Sequence, residues 1–146
     1  MKIEVFALCD AATDYYGKLN ILGAFDSIWV KQMPATHPHC AVALRIRFSP
    51  IEEGEHKLKI NVVDADGKLI MPSMEGNLTV KRPPKSDSIV ANVVLNIQGL
   101  KFAKCGDYSV DLAVDGRQEA ALPLQVREVQ NPAAQQNMPG AAPGQG

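Results

Sequence analysis

The chain has 146 residues, enough for one domain with its own hydrophobic core and too few for two domains of ordinary size. It carries 15 Lys and Arg against 16 Asp and Glu, and the formal net charge of −1 argues against a strongly basic surface for nucleic acid. Hydrophobic residues make up 46%, as in soluble globular domains, and no apolar run approaches the roughly 18 residues of a membrane span.

Apolar and polar residues alternate with a period of two along most of the chain, which predicts β-strands with one face toward a core and one toward water. No stretch of ten or more residues shows a helical stripe. Gly23 makes the second predicted strand either two strands or one strand with a bulge. The predicted strands are 2–9, 18–31, 41–48, 57–62, 67–71, 76–82, 88–98, 107–114 and 122–127.

Turn residues separate the predicted strands. Asp115-Gly116 suits a two-residue type I′ hairpin, and the sequence from Asp64 to Gly67 suits a slightly longer one. Pro83-Pro84 cannot donate hydrogen bonds to a sheet, which predicts a crossing loop. These signals predict an all-β domain over residues 1–129, an antiparallel β-sandwich of about eight or nine strands.

The C-terminal segment, residues 130–146, differs from the rest of the chain. It contains only Pro, Gly, Ala, Gln, Asn and one Met, with no charge and no periodicity. Such a composition does not bury enough surface to offset the entropy lost on ordering. We therefore expect a disordered tail.

The three cysteines Cys9, Cys40 and Cys105 are an odd number without paired spacing. This pattern indicates small buried hydrophobic residues in a reducing compartment rather than a disulfide framework. The N-terminal apolar run is about four residues, shorter than the roughly 7–15 that an export signal needs. We therefore expect a cytoplasmic protein.

Two segments resemble immunoglobulin-like bacterial domains. Residues 54–68 are similar to one of their hairpins, and residues 106–116 are similar to their Gly-x-Tyr strand. In such domains the tyrosine hydroxyl bonds to the backbone a few residues upstream, a tyrosine corner. The resemblance therefore implies that Tyr108 is buried and makes this bond, while Gly106 permits a close approach. It specifies a fold rather than an activity.

The whole of residues 2–127 is similar to a small uncharacterised bacterial domain family. The resemblance rests on Gly-Lys-Leu-Asn-Ile-Leu-Gly-Ala-Phe at 17–25 and on Pro-Ala-Thr-His-Pro at 34–38, which an alternating strand follows. It implies a single bacterial domain and brings no activity with it.

Motifs for common enzyme chemistry are absent from the sequence. There is no Gly-x-Ser-x-Gly, His-Glu-x-x-His, Walker loop, Gly-x-Gly-x-x-Gly or Cys-x-x-Cys. Three histidines leave few bases for a dispersed triad. We therefore expect a protein that is not an enzyme and needs no cofactor.

Two groups of aromatic residues are candidates for a ligand site or an interface. Asp10 and Asp14 lie beside Tyr15 and Tyr16 in a predicted polar loop, although adjacent tyrosines are often packing residues. Trp29 faces away from its neighbours in the strand. With Phe25 it could anchor an interface if that strand is exposed on one face rather than covered on both.

The densest group of soft metal ligands is His37, His39 and Cys40, which suit zinc or copper by type. The group lacks a fourth ligand and the spacing of a structural zinc site, so it is a weak candidate. Asp64 and Asp66 supply too few oxygens for calcium and suit a hairpin.

A β-sandwich offers loop clusters and sheet edges, and both bind proteins. The sequence therefore favours a non-catalytic module that binds a protein partner, without contact with nucleic acid or membrane. The alternative is a domain that binds a small ligand or a metal through loops 10–17 and 34–40.

Overall fold

The computed structural model describes residues 1–129, and the predicted tail, residues 130–146, lies outside the described residues. All regular elements in the described range are strands apart from a single 3₁₀ turn at Pro50–Glu52. The strands are β1 (Lys2–Tyr15), β2 (Lys18–Ala24), β3 (Ser27–Val30), β4 (Ala35–Phe48), β5 (Gly54–Val63), β6 (Met74–Val80), β7 (Ile89–Phe102), β8 (Gly106–Val114) and β9 (Arg117–Glu128). The prediction of an all-β fold is confirmed.

The strands form two sheets. Sheet A has the order β2-β1-β4-β7, and sheet B has the order β3-β9-β8-β5-β6. Every pair of neighbours is antiparallel except β3 and β9, which are parallel. The expectation of a purely antiparallel sandwich is wrong at this pair, because the chain leaves sheet A after Ala24 and enters sheet B in the direction of β9.

One hydrophobic core joins the inner faces of both sheets. The predicted alternation places Val42 and Leu44 of sheet A in the same buried cluster as Ile60 and Val110 of sheet B. Burial of such side chains contributes most of the stability of a domain of this size. The largest fully buried side chains are Phe48, Phe102, Leu44, Ile46, Ile60, Leu100, Leu112, Leu124, Val42, Val62, Val110 and Val126.

Several predicted boundaries need correction. The run 18–31 is two strands that separate at Phe25 and Asp26 rather than at Gly23, because the chain crosses between the sheets there. Residues 67–71 are not a strand, since only Leu69 forms an isolated bridge, to Val63. They belong to the long connection between β5 and β6.

The turns agree better with the prediction. Asp115 and Gly116 have φ values of 52° and 82°, the positive values that a type I′ hairpin requires. Residues 81–88 with Pro83-Pro84 carry the chain from β6 in sheet B to β7 in sheet A, so they form the predicted crossing. No helix among the described residues is long and apolar enough to span a membrane.

Candidate functional site

The hairpin of β1 and β2 is the most unusual element of the fold. Residues 10–17, expected as a loop, instead form the second half of β1 and a two-residue turn. Tyr16 and Gly17 both have positive φ, 50° and 76°, as in a type I′ turn. Tyrosine is uncommon at positive φ, and the sequence therefore gave no strong turn signal there. The expectation of a loop was wrong for this reason.

The hairpin folds back over the outer face of sheet A. β1 pairs with β4 only as far as Cys9, and beyond that point it pairs with β2 alone. Ala12 and Leu19 of the hairpin pack against a small buried cluster of Cys9, Ala41 and Ala43. Ala41 and Ala43 were expected to face water, but both are fully buried because the hairpin covers them.

A hydrogen bond fixes the tip of the hairpin to the far strand of the sheet. The Asn92 side-chain amide on β7 donates to the Gly17 carbonyl at 3.0 Å. The hairpin therefore runs across β4 and ends over β7. Small side chains at positions 41 and 43 permit this close covering, because a longer side chain there would hold the hairpin away from the sheet.

An ion-pair network lies next to this anchor. Arg45 Nε donates to Glu4 at 3.0 Å and Arg47 Nε donates to the same carboxylate at 2.8 Å. The hydrogen bond from Arg47 lowers the pKa of Glu4, and Arg45 adds to the effect. Arg45 also donates to the Asn92 Oδ1 atom at 3.1 Å, which orients the amide that holds Gly17.

Close packing also fixes the base of the hairpin. A Cβ atom on Gly23 would lie 2.5 Å from the Asp10 Oδ2 atom, so this position accepts only glycine without movement. Its φ of 69° adds a second reason for glycine. Asp10, a candidate ligand residue from the sequence, therefore packs against the hairpin backbone.

The hairpin exposes large apolar side chains, which together we call the hairpin patch: Tyr15, Tyr16, Ile21 and Leu22. Tyr16 is 88% exposed, Leu22 71% and Tyr15 64%. The two tyrosine rings contact each other edge to face, with centroids 4.5 Å apart. Eight large hydrophobic residues are exposed within residues 1–129, and four of them lie on this hairpin, with Ile21 and Leu22 on opposite faces of β2.

Asp14, Tyr15 and Tyr16 were candidates from the sequence and all three are exposed, whereas Ile21 and Leu22 were not predicted. The sequence does contain a signal for Ile21 and Leu22. Consecutive apolar residues in a strand point to opposite faces, so a single core cannot cover both. The prediction placed the irregularity of the run 18–31 at Gly23 and therefore did not use this signal.

The second predicted pair, Trp29 and Phe25, does not form one anchor. Trp29 on β3 faces outward and is 44% exposed, while its neighbour Ile28 is buried. Phe25 turns inward and packs partly buried against the core, with its ring 5.5 Å from that of His37. The two aromatic side chains therefore do not lie on the same surface.

Residues 34–40, expected as a loop, belong mostly to β4. Cys40 is buried in the core, His39 is exposed and His37 is partly buried beside Phe25. Burial raises the pKa of the Cys40 thiol to about 11 and lowers the pKa of His37. Within residues 1–129, no three His, Cys, Asp or Glu side chains are grouped as a metal site would need.

A cleft of about 450 Å³ opens at one end of the sandwich, beside the tyrosine corner. Tyr108 is 6% exposed, and its hydroxyl donates to the Lys104 carbonyl at 2.5 Å. Its ring meets Phe102 edge to face at 5.0 Å. Gly106 is not needed for a close approach of the backbone, because a Cβ atom there would meet nothing within 4 Å. The reason for glycine at this position is its φ of 156°.

The opposite end of the sandwich holds a polar cluster around His56. The ring nitrogen Nε2 lies 2.6 Å from the Glu52 carbonyl oxygen, and Nδ1 lies 2.7 Å from the Asp115 carboxylate. Both neighbours are acceptors, so the doubly protonated ring satisfies both. The Glu52 carbonyl and the Asp115 carboxylate accordingly raise the pKa of His56. The ring stacks on buried Phe48, with centroids 4.6 Å apart.

Comparison with protein families finds a match over most of the chain. The model of a family of unknown function (DUF6941) covers residues 4–127, which includes both sheets and the hairpin. A search of the curated proteins found no match.

Proposed function

The chain belongs to the DUF6941 family, and we propose that its domain is a non-catalytic module that binds a partner protein through the hairpin patch. The observation that carries the proposal is the concentration of exposed apolar side chains on this hairpin. Clustered exposed apolar residues are typical of interaction sites, whereas single scattered ones are ordinary.

The patch has the composition of a protein interface. Tyrosine is enriched among residues that contribute most to binding, because a large ring gives contact area at a small cost in conformational entropy. Tyr15 and Tyr16 present two such rings in mutual contact. Charged and polar residues such as Asp14 and Lys18 surround them, as in the rim of an interface.

Rigidity supports the same proposal. A flexible binding loop loses entropy when it binds, whereas an ordered element has lost that entropy already. The bond from Asn92 to Gly17 and the packing of Leu19 against the sheet order the hairpin in the free protein. The patch is therefore pre-organised for a partner.

A second candidate is a small-ligand function at the end cleft. Its volume of about 450 Å³ lies in the usual range for ligand sites, about 300–1,000 Å³. Apolar walls from Ile70 and Phe102 combine with the charged residues Asp64, Lys101 and Lys104. This combination would suit an apolar molecule that carries a charged group. Of the two stretches expected to hold a ligand, only residues 34–36 reach the cleft.

We also propose an immunoglobulin-like relationship and a bacterial, cytoplasmic setting for the domain. The hydroxyl bond of Tyr108 to Lys104 supports the first, because immunoglobulin-like domains commonly carry this corner. The buried thiols of Cys9 and Cys40, with Cys105 also unpaired, support a reducing compartment. The bacterial setting rests on the sequence resemblance.

The test compares proteins that co-purify from the native host with wild type and with variants. The double variant Tyr15→Ser and Tyr16→Ser removes both rings, and Ile51→Ser is the matched control because Ile51 is 92% exposed elsewhere. We expect the tyrosine variant to lose a specific partner that the control retains. With that partner purified, the loss should be about 30-fold in Kd, as for removal of residues worth about 2 kcal/mol.

The same experiment tests whether protein binding depends on the hairpin or on the cleft. Lys101→Glu and Lys104→Glu change the charge of the cleft without touching the hairpin. A partner protein lost with the lysine variant and retained with the tyrosine variant would contradict the hairpin proposal.

A further inference from the structure

We propose that two copies of this chain associate by pairing their β7 strands antiparallel across a two-fold axis. The four-stranded sheets A of the two copies then become one continuous sheet. This edge lies beside the hairpin tip, which is anchored at Asn92, and its partner is a second copy rather than another protein.

The sheet edges of the described domain differ in how they are protected. A free edge presents unpaired N–H and C=O groups, and natural proteins shorten it or place charges on it. β3 has only 4 residues and lies between Asp26 and Lys31. β2 begins with Lys18, and β6 carries Glu75.

The β7 edge lacks these protections. The strand is 14 residues long and has no charged residue and no proline from Ile89 to Leu100. Among residues 1–129 it pairs only with β4. Val93 and Leu95 pack against the core and remain partly exposed on the open side. A long uncharged edge of this kind is suited to receive another strand.

The strand is also complementary to itself. With the axis at Val94, Val93 lies opposite Leu95 of the partner subunit on the inner face. Asn92 then lies opposite Asn96 of the partner subunit on the outer face. The pairing brings apolar side chains against apolar ones and places no like charges opposite each other. An interface of this kind repeats the same patch on both copies, as two-fold symmetry requires.

The folded hairpin leaves this edge free. The Gly17 carbonyl accepts the Asn92 amide on the outer face of β7, so the hairpin ends over the strand rather than alongside it. A second copy can therefore approach in the plane of the sheet. The dimer would carry both hairpin patches on one continuous outer face.

Sedimentation equilibrium over a wide range of protein concentration tests the proposal. The wild type should rise from 15.8 kDa toward twice that mass as concentration increases. Leu95→Lys should prevent the rise. In the monomer the lysine stem can follow the leucine and its amine can leave through the open edge, but the second strand closes that exit. We expect the dissociation constant to increase on the order of a hundredfold.

Leu122→Lys is the matched control. Leu122 on β9 is also partly buried against the core. β3 pairs with β9 only from Gln125 onward, so the edge of β9 at Leu122 is open, as the edge of β7 is at Leu95, but it belongs to sheet B. Leu122→Lys should leave the dimer intact. A wild type that stays monomeric, or a dimer that survives Leu95→Lys, would overturn the proposal.

Hydrogen exchange of the wild type gives a second measurement that does not depend on the folding of a variant. The outward amides of residues 89–98 should exchange fast at low concentration and become protected as the dimer forms. Protection that does not change with concentration would mean that the edge is not paired with a second copy, and would also overturn the proposal.

Discussion

Removal of the tyrosine corner tests the packing of the core in detail. Tyr108→Phe keeps the ring and deletes the hydroxyl that donates to the Lys104 carbonyl. Lys104 is exposed, so water can reach the carbonyl that loses its partner. The cost should therefore be about 1 kcal/mol, near the net value of one hydrogen bond rather than that of a buried unpaired group.

Tyr108→Ala also removes the ring, which is 94% buried against Phe102 and the rest of the core (6% exposed). Truncation of a large aromatic residue in a core costs about 3–5 kcal/mol. For a domain of this length, about 1 kcal/mol corresponds to roughly 3 °C in Tm, so we expect decreases of about 3 °C for Phe and roughly 10 °C or more for Ala.

Urea unfolding and thermal melts of both variants provide the measurement. Tyr16→Phe is the control, since the Tyr16 side chain is almost fully exposed and should change stability by less than about 0.5 kcal/mol. An unchanged midpoint for Tyr108→Ala would refute the assignment of Tyr108 to the core. A Phe variant as damaging as the Ala variant would show that the hydroxyl, rather than the ring, dominates.

Three further predictions concern pH and the hairpin. The contribution of His56 to the free energy of unfolding should be complete below pH 6.5 and should decline as the pH rises through the raised folded-state pKa. Urea titrations at several pH values should show this decline for the wild type and should not show it for His56→Gln. Gly23→Ala should cost about 1–3 kcal/mol in urea melts through the contact with Asp10 and its positive φ, and a second change, Asp10→Ala, should recover part of the loss. Ala43→Leu should overfill the space under the hairpin at a cost of about 1–3 kcal/mol and make the hairpin more sensitive to protease, whereas an unchanged protease pattern would contradict the folded-back arrangement.

Much of the fold follows from local pattern. The alternation from Tyr108 to Val114 assigns each side chain to a face correctly, because one side of β8 packs on the core and the other meets solvent. Asp115-Gly116 identifies its turn because few residues tolerate positive φ at two successive positions. Such local rules decide whether a segment forms a strand, and they were sufficient to predict most strands of the two sheets.

The hairpin shows where local pattern fails. A period of two assigns Ala41 and Ala43 to solvent, and nothing within β4 indicates that another part of the chain covers them. The cover comes from residues more than twenty positions away, and its anchor from Asn92 is more distant still. Such long-range packing follows from tertiary structure rather than from periodicity.

The candidate site was predicted in part for the same reason. Tyr15 and Tyr16 were identified by residue type, whereas the contribution of Ile21 and Leu22 depends on the pairing of β2 with the second half of β1. The soft ligands near His37 were grouped by sequence proximity alone. The strand distributes them between the core and the surface.

Photo-crosslinking in the native host tests the binding role of the hairpin patch most directly. A photoreactive phenylalanine analogue replaces Tyr16, which is 88% exposed at the hairpin tip, or Ile51, which is 92% exposed in the 3₁₀ turn after β4 and serves as the matched control. We predict a discrete adduct with another protein from position 16 that position 51 does not give. An adduct of twice 15.8 kDa would instead identify a second copy as the neighbour of the tip. No discrete adduct from position 16, or the same adduct from both positions, would contradict the account.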